Sequence, residues 1–204
     1  MNKKIGWDSI WEKIYSSRQW GQYPEINVVR FIARNFYPVK NRSKIRILDL
    51  GCGVGAHSWY LAREGFKVSG IDGSPSAIKF AKEKLRKEKL FVDFYVGDIA
   101  NLPYQDNSFD AVIDSAAIQH NSLVNIKIIL KEIYRVLIPK GKIFSIMVSQ
   151  DNYLKQGFGQ IHFFTKPEIK QLFVRFSQLS IDYHQYTENN GERLHKSWLI
   201  QAQK

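Results

Sequence analysis
The feature that most constrains this chain is the run Ile45 to Leu50, a candidate strand that breaks into the glycine-rich turn Gly51-Cys52-Gly53-Val54-Gly55. The spacing predicts a helix immediately afterwards, from about Ala56 to Glu64. Glycines at such a turn let a ligand approach the backbone, and the N-terminus of the next helix presents N–H groups to it. Strand, turn and helix in this order belong to a parallel sheet, because the helix carries the chain back before the next strand begins.

The alternation continues. Lys67 to Asp72 reads as a second strand, after which Ser74 caps a helix with Pro75 in its first turn and Ile78, Ala81 and Leu85 on its buried face. Phe91 to Val96 is a third strand ending at Gly97-Asp98, and Phe109 to Asp114 is a fourth, preceded by the turn-rich stretch Pro103 to Ser108. Leu123, Ile126, Leu130, Ile133 and Leu137 keep one helical stripe from Leu123 to Leu137. Pro139-Lys140-Gly141 then makes a turn into a fifth strand, Lys142 to Val148. A capping box, Thr165-Lys166-Pro167-Glu168, opens a helix to about Phe176, and Leu179 to Tyr186 and Leu194 to Gln201 complete the strands. The expected fold is α/β, a doubly wound, seven-stranded, mostly parallel sheet with helices on both faces.

At 204 residues and 44% hydrophobic content the chain can fill one core, so a single domain over 1–204 is expected. Within it, 1–44 reads as a helical cap or lid, 45–148 as the ligand-binding core, and 149–204 as a substrate-side loop followed by the last helix and strands. Ser9 and Glu12 have capping-box spacing at the start of a helix in the first segment. Trp7, Trp11, Tyr15, Trp20 and Tyr23 either close over a site or cover one face of the sheet. Neither a long apolar stretch nor the apolar core of a signal peptide is present, which predicts a cytoplasmic protein. The one cysteine, Cys52, allows no internal disulfide, and zinc-ligand spacings are missing, so no metal is expected. The formal charge of +11 raises the weight of anionic partners, including nucleic acid, although Lys79, Lys82, Arg86 and Lys89 read first as a solvated helix face.

Alone, Gly51-x-Gly53-x-x-Ala56 fits dinucleotide and nucleoside ligands equally. Asp72 follows 21 residues after Gly51 at the end of the second strand, placed to accept both ribose hydroxyls. A second carboxylate, in Gly97-Asp98-Ile99, stands at the same sheet edge, suited to an adenine amino group.

These elements together resemble the class I S-adenosylmethionine-dependent methyltransferases. Ile47 to Gly55 is similar to the family's first motif, Gly70-Ile71-Asp72-Gly73-Ser74 to its ribose motif, and Gly97-Asp98-Ile99 with Leu102-Pro103-Tyr104 to its adenine-edge motif. Ser108 to Ile113 resembles the fourth strand. Arg135 to Lys142 resembles the element before strand five, where the family usually has glycine in place of Lys140. The resemblance covers about residues 45–148 and implies a Rossmann-like fold, S-adenosylmethionine as methyl donor and S-adenosylhomocysteine as product. It further implies that Gly51, Gly53 and Gly55 pass beneath the methionine moiety and ribose, with Cys52 a small loop residue between them. Asp72, in the motif with Gly73 and Ser74, would hold the ribose, and Asp98 with Ile99 would frame the adenine. Asp49 would support the loop and the methionine amine.

Methyl transfer is in-line displacement from a sulfonium carbon, so the enzyme mainly orients its substrates and a base is optional. His120, after strand four, is the histidine nearest the expected donor edge and the candidate base, or else a pocket wall; Asp114, Gln119 and Asn121 flank it. His162, in the loop from residue 157 to 164, is a weaker candidate. A small-molecule acceptor is the leading expectation, with a tRNA-modifying enzyme, a non-catalytic donor-binding protein and an NAD-linked oxidoreductase as rivals.

Overall fold
A computed structural model describes residues 6–18, 20–153 and 159–204. Among the described residues six α-helices and seven strands follow in the order α1 (Ile10–Ser17), α2 (Ile26–Phe36), β1 (Arg46–Leu50), α3 (Ala56–Arg63), β2 (Lys67–Asp72), α4 (Pro75–Lys87), β3 (Asp93–Val96), β4 (Phe109–Ser115), α5 (Leu123–Val136), β5 (Leu137–Val148), α6 (Lys166–Leu172), β6 (Ser177–Glu188) and β7 (Arg193–Gln203). One sheet holds all seven strands in the order β3-β2-β1-β4-β5-β7-β6. The first five are parallel, and β7 runs antiparallel between β5 and β6. This is the expected doubly wound, Rossmann-like sheet.

Period-two alternation along the strands divides the core in two. Leu48, Leu50, Val112, Ile143 and Met147 face α5 and α6 through Ile126, Ile133, Ile169 and Phe173. Ile47, Ala111, Ile113, Phe144 and Ile146 face α2 and α3 through Val28, Phe31, Ile32 and Leu61. Phe31 stacks on Phe144 with ring centroids 5.0 Å apart. No described helix is long and apolar enough to cross a membrane.

Several boundaries differ from the sequence reading. α2 was not foreseen, although Val28, Phe31, Ile32 and Phe36 have helical spacing and the Glu25 side chain accepts from the N–H groups of Asn27 and Val28 as an N-cap. β3 starts at Asp93, leaving Phe91 exposed beyond the sheet edge. α6 ends at Leu172, and β6 and β7 extend further at both ends than expected. β5 runs on from α5 through Pro139-Lys140-Gly141, where Lys140 takes φ +66°. A left-handed conformation explains why glycine is usual there. The Lys140 N–H donates to the Lys204 carbonyl, and Gln203 donates to the carbonyl of Lys140, which holds the strained residue in place.

Candidate active site
Strand order reverses between β1 and β4, so the following helices α3 and α5 leave to opposite faces and a crevice opens at the carboxyl ends of the strands. Gly51 takes φ +67° there, and a Cβ on it would lie 2.2 Å from the Ala117 Cβ in the loop after β4. The turn therefore needs glycine both for its dihedrals and for the closeness of the facing loop. Gly55, at φ +77°, opens α3 without a side chain to cap it. Asp49 supplies the cap from β1, its Oδ2 accepting from Ser58 N at 2.9 Å and Ser58 Oγ at 2.6 Å.

Asp72 clamps two turns together: Oδ2 accepts from Gly53 N and Oδ1 from Ser74 N, each at 2.9 Å. Burial pushes its pKa up to about 6, against the lowering influence of those two N–H groups. Ser74 caps α4 by accepting from Ala77 N. Asp98 Oδ1 accepts from Ala100 N at 2.8 Å and from Gly6 N at 2.9 Å. Asp114, fully buried, accepts from Ala117 N and Ile118 N and so fixes the loop after β4.

The N-terminal segment crosses this edge as a roof. Glu12 holds Ser74 Oγ, Ser76 Oγ and Ser76 N, Trp11 meets the His120 ring edge-to-face at 4.6 Å, and Tyr15 covers Gly53. Ser9 makes no side-chain cap, so the expected Ser9–Glu12 capping box does not form; Asp8 Oδ1 accepts from Ile10 N instead. Glu12 has been taken by α4, and the aromatic segment lies over the strand ends, not on a sheet face. Beneath it is a cavity of about 540 Å³, within the roughly 300–1,000 Å³ usual for small-molecule sites.

Residues 48–145 match the family model described as a methyltransferase domain. The 2-methyl-6-phytyl-1,4-hydroquinone methyltransferase of Synechocystis sp. is 32% identical over 158 residues, covering 77% of this chain and 47% of that protein. The norajmaline N-methyltransferase of Rauvolfia serpentina is 33% identical over 121 residues, covering 58% and 41%. The crystal structure of an S-adenosylmethionine-dependent methyltransferase from Methanosarcina mazei superposes with a TM-score of 0.67 at 25% identity, covering 78% of this chain and 92% of that one. The chain belongs to the class I S-adenosylmethionine-dependent methyltransferase family. It spans about half the length of the curated relatives it matches.

Of the residues singled out in the sequence, Gly51, Cys52, Gly53, Asp72, Gly73, Ile99 and His120 line the cavity. Asp49, Gly55, Ser74 and Asp98 stand behind that lining and hold the turns. Gly55 serves packing: a Cβ there would lie 2.9 Å from the Ala81 Cβ of α4. The Cys52 thiol is pushed well up by burial and by the Asp49 and Asp72 carboxylates, which keeps it neutral. His162 pairs with Glu168 at 2.8 Å and does not reach the cavity, though its neighbour Ile161 does. Residues 154–158 of the expected substrate-side loop lie outside the described residues. Glu25 and His57 also line the cavity and were missed; the Glu25 N–H donates to His57 Nε2 at 3.1 Å, a contact between segments that carries no sequence signal.

His120 Nδ1 lies 3.1 Å from the Gln160 carbonyl. A carbonyl only accepts, so Nδ1 carries the hydrogen and the neutral ring keeps an acceptor lone pair on Nε2. Burial lowers the His120 pKa, which favours that neutral form.

The lining fits S-adenosylmethionine. The turn at Gly51 and Gly53 lines the cavity, and Asp72 presents a carboxylate with about four lone-pair positions, of which the two backbone bonds take two. Among the described residues no group of His, Cys, Asp and Glu side chains is gathered to hold a metal ion.

Proposed function
We propose that this chain transfers a methyl group from S-adenosylmethionine to a small-molecule acceptor, leaving S-adenosylhomocysteine. The observation that carries the reading is the roofed cavity, which joins the Gly51–Gly53 turn, Asp72 and Ile99 to His120 in one space of ligand size. When bound, the donor supplies a methyl carbon activated by the sulfonium charge. The residues of the chain orient the reactants and exclude water. Gly51, Cys52 and Gly53 run beneath the methionine and ribose, Asp72 accepts the ribose hydroxyls, and Gly73 and Ile99 flank the adenine. Asp49, Gly55, Ser74 and Asp98 support them from behind. His120 takes a proton at Nε2 when the acceptor is a hydroxyl or a protonated amine. In this reading 1–44 is the lid, 45–148 the donor-binding core, and 149–204 the acceptor side, all parts of one domain.

The acceptor is uncharged or cationic. Among the described residues no Lys or Arg lines the cavity, while Asp8, Glu25 and Asp72 do, and an anion there would meet those carboxylates with no Lys or Arg to offset them. The excess positive charge lies elsewhere: Lys79, Lys82 and Arg86 line a separate shallow depression on α4. The hydroquinone and norajmaline methyltransferases, named for small organic acceptors, support the same class.

Methyl-labelled donor tests the proposal with a panel of phenols, hydroquinones, amines and alcohols, and with bulk tRNA in parallel. Label is expected in a small molecule together with S-adenosylhomocysteine. His120→Ala is expected to lower turnover on a base-requiring acceptor by about 100-fold or more with little change in product affinity. Label only in tRNA, or donor retained without turnover on any acceptor, contradicts the proposal.

A further inference from the structure
Gly73 follows Asp72 at the end of β2, beside the Gly97-Asp98-Ile99 turn at the end of the paired strand β3, where the Gly97 N–H donates to the Asp72 carbonyl. It has no side chain, yet its outer side is filled. A Cβ placed on Gly73 would lie 1.8 Å from Trp7 Cδ1 and 2.2 Å from Trp7 Cγ and Nε1, so the indole rests directly on the glycine. The adjacent Gly6 N–H donates to Asp98 Oδ1 at 2.9 Å, and a Cβ on Gly6 would collide with Asp98 and with Ala100. Two glycines, one on each partner, therefore bring Gly6-Trp7 flush against the edge that carries Asp72 and Asp98.

We propose that Trp7 is a donor-binding residue that forms the wall of the adenosine end of the cavity, supplying from the N-terminal segment the surface that Gly73 lacks. The inference rests on the methyl-donor reading of the site. Trp7 lines the cavity together with Asp72, Gly73, Gly97 and Ile99, so it borders the space these residues enclose. About 540 Å³ remains open beside it, which makes the indole a wall and not a plug. An indole against a purine offers a large flat apolar face and stacks with it.

Calorimetric titration of S-adenosylhomocysteine and of 5′-methylthioadenosine into wild type, Trp7→Ala and Trp7→Phe tests this without any acceptor. Trp7→Ala is expected to weaken both ligands by about tenfold and Trp7→Phe by much less. Gly73→Ala is expected to weaken binding in wild type by evicting the indole, and to have a much smaller effect in the Trp7→Ala background, where nothing is left to evict. Melting curves without ligand report whether each variant folds, and the Phe variant carries the test if the Ala variant does not. Unchanged or tighter binding in Trp7→Ala overturns the proposal, as does a loss confined to S-adenosylhomocysteine, which would place Trp7 away from the adenosine. A wild-type protein that binds neither ligand overturns the donor reading and this inference together, whereas normal wild-type binding with indifferent Trp7 variants overturns this inference alone.

Discussion

On the sheet side of the cavity, the main chain is fixed by parallel ladders of β1 with β2 and β4 and by buried carboxylates that tie the turns to one another. The roof over residues 6–18 is held differently, through Gly6 on Asp98, Glu12 on Ser74 and Ser76, Trp11 on His120 and Tyr15 over Gly53. α1 has eight residues, well short of the roughly 12–15 that an isolated helix needs to persist in water. Its place depends on those attachments. The comparison teaches that one wall of the cavity is fixed by strand pairing and buried carboxylates while the other rests on a few side-chain attachments, and segments held by few contacts open more readily than paired strands.

Asp72→Ala should show the larger effect, because it removes the ribose acceptor and also leaves the Gly53 and Ser74 N–H groups without their partner. Affinity for S-adenosylhomocysteine is expected to fall roughly ten- to a hundredfold, from the loss of charged hydrogen bonds of about 1.5–3 kcal/mol, and the melting temperature should fall as well. Unchanged affinity in a folded variant would break the ribose assignment. The same residue sets a pH dependence. With its folded pKa raised to about 6, Asp72 in the unliganded protein gains a proton as pH falls through that value. The protonated acid has lost an acceptor site, so donor affinity should hold above about pH 6 and decline below it, with proton release on binding near pH 6. Affinity that rises on acidification runs against this.

Glu12→Ala acts on the other wall and should be milder. Loss of its bonds to Ser74 and Ser76 is expected to speed amide hydrogen exchange over residues 10–17 while β1 and β4 stay protected, and to weaken donor binding several-fold, about the value of one net hydrogen bond. Equal exchange in roof and sheet would erase the distinction between the two walls.

The contrast also explains what could be read from sequence. The sheet side was legible because its function is local: a strand, a glycine turn and a helix cap lie next to one another in the chain, as in Gly51 to Ala56 or Asp72 to Pro75. The seven strands followed from the same periodicities. The roof was legible only as an aromatic segment. Glu12 had the spacing of a local cap, and nothing near it in sequence shows that Ser74 and Ser76, more than sixty residues on, take it instead. α2 was missed because its cap is Glu25, not the Ser, Thr, Asp or Asn that signals a helix start. Asp49 was read as a support of the loop and of the methionine amine; in the structure its carboxylate caps α3, the helix that glycine opens, from behind the cavity lining.

The central claim is that the cavity is a methyl-donor site and not a nicotinamide one, since a glycine turn followed by a carboxylate suits both. Isothermal titration of the intact chain with S-adenosylhomocysteine, and separately with NAD, tests this most directly. Saturable binding of S-adenosylhomocysteine at a single site, with a matching rise in melting temperature and no heat from NAD, is the predicted result. Saturable binding of NAD with none of S-adenosylhomocysteine or S-adenosylmethionine would contradict it.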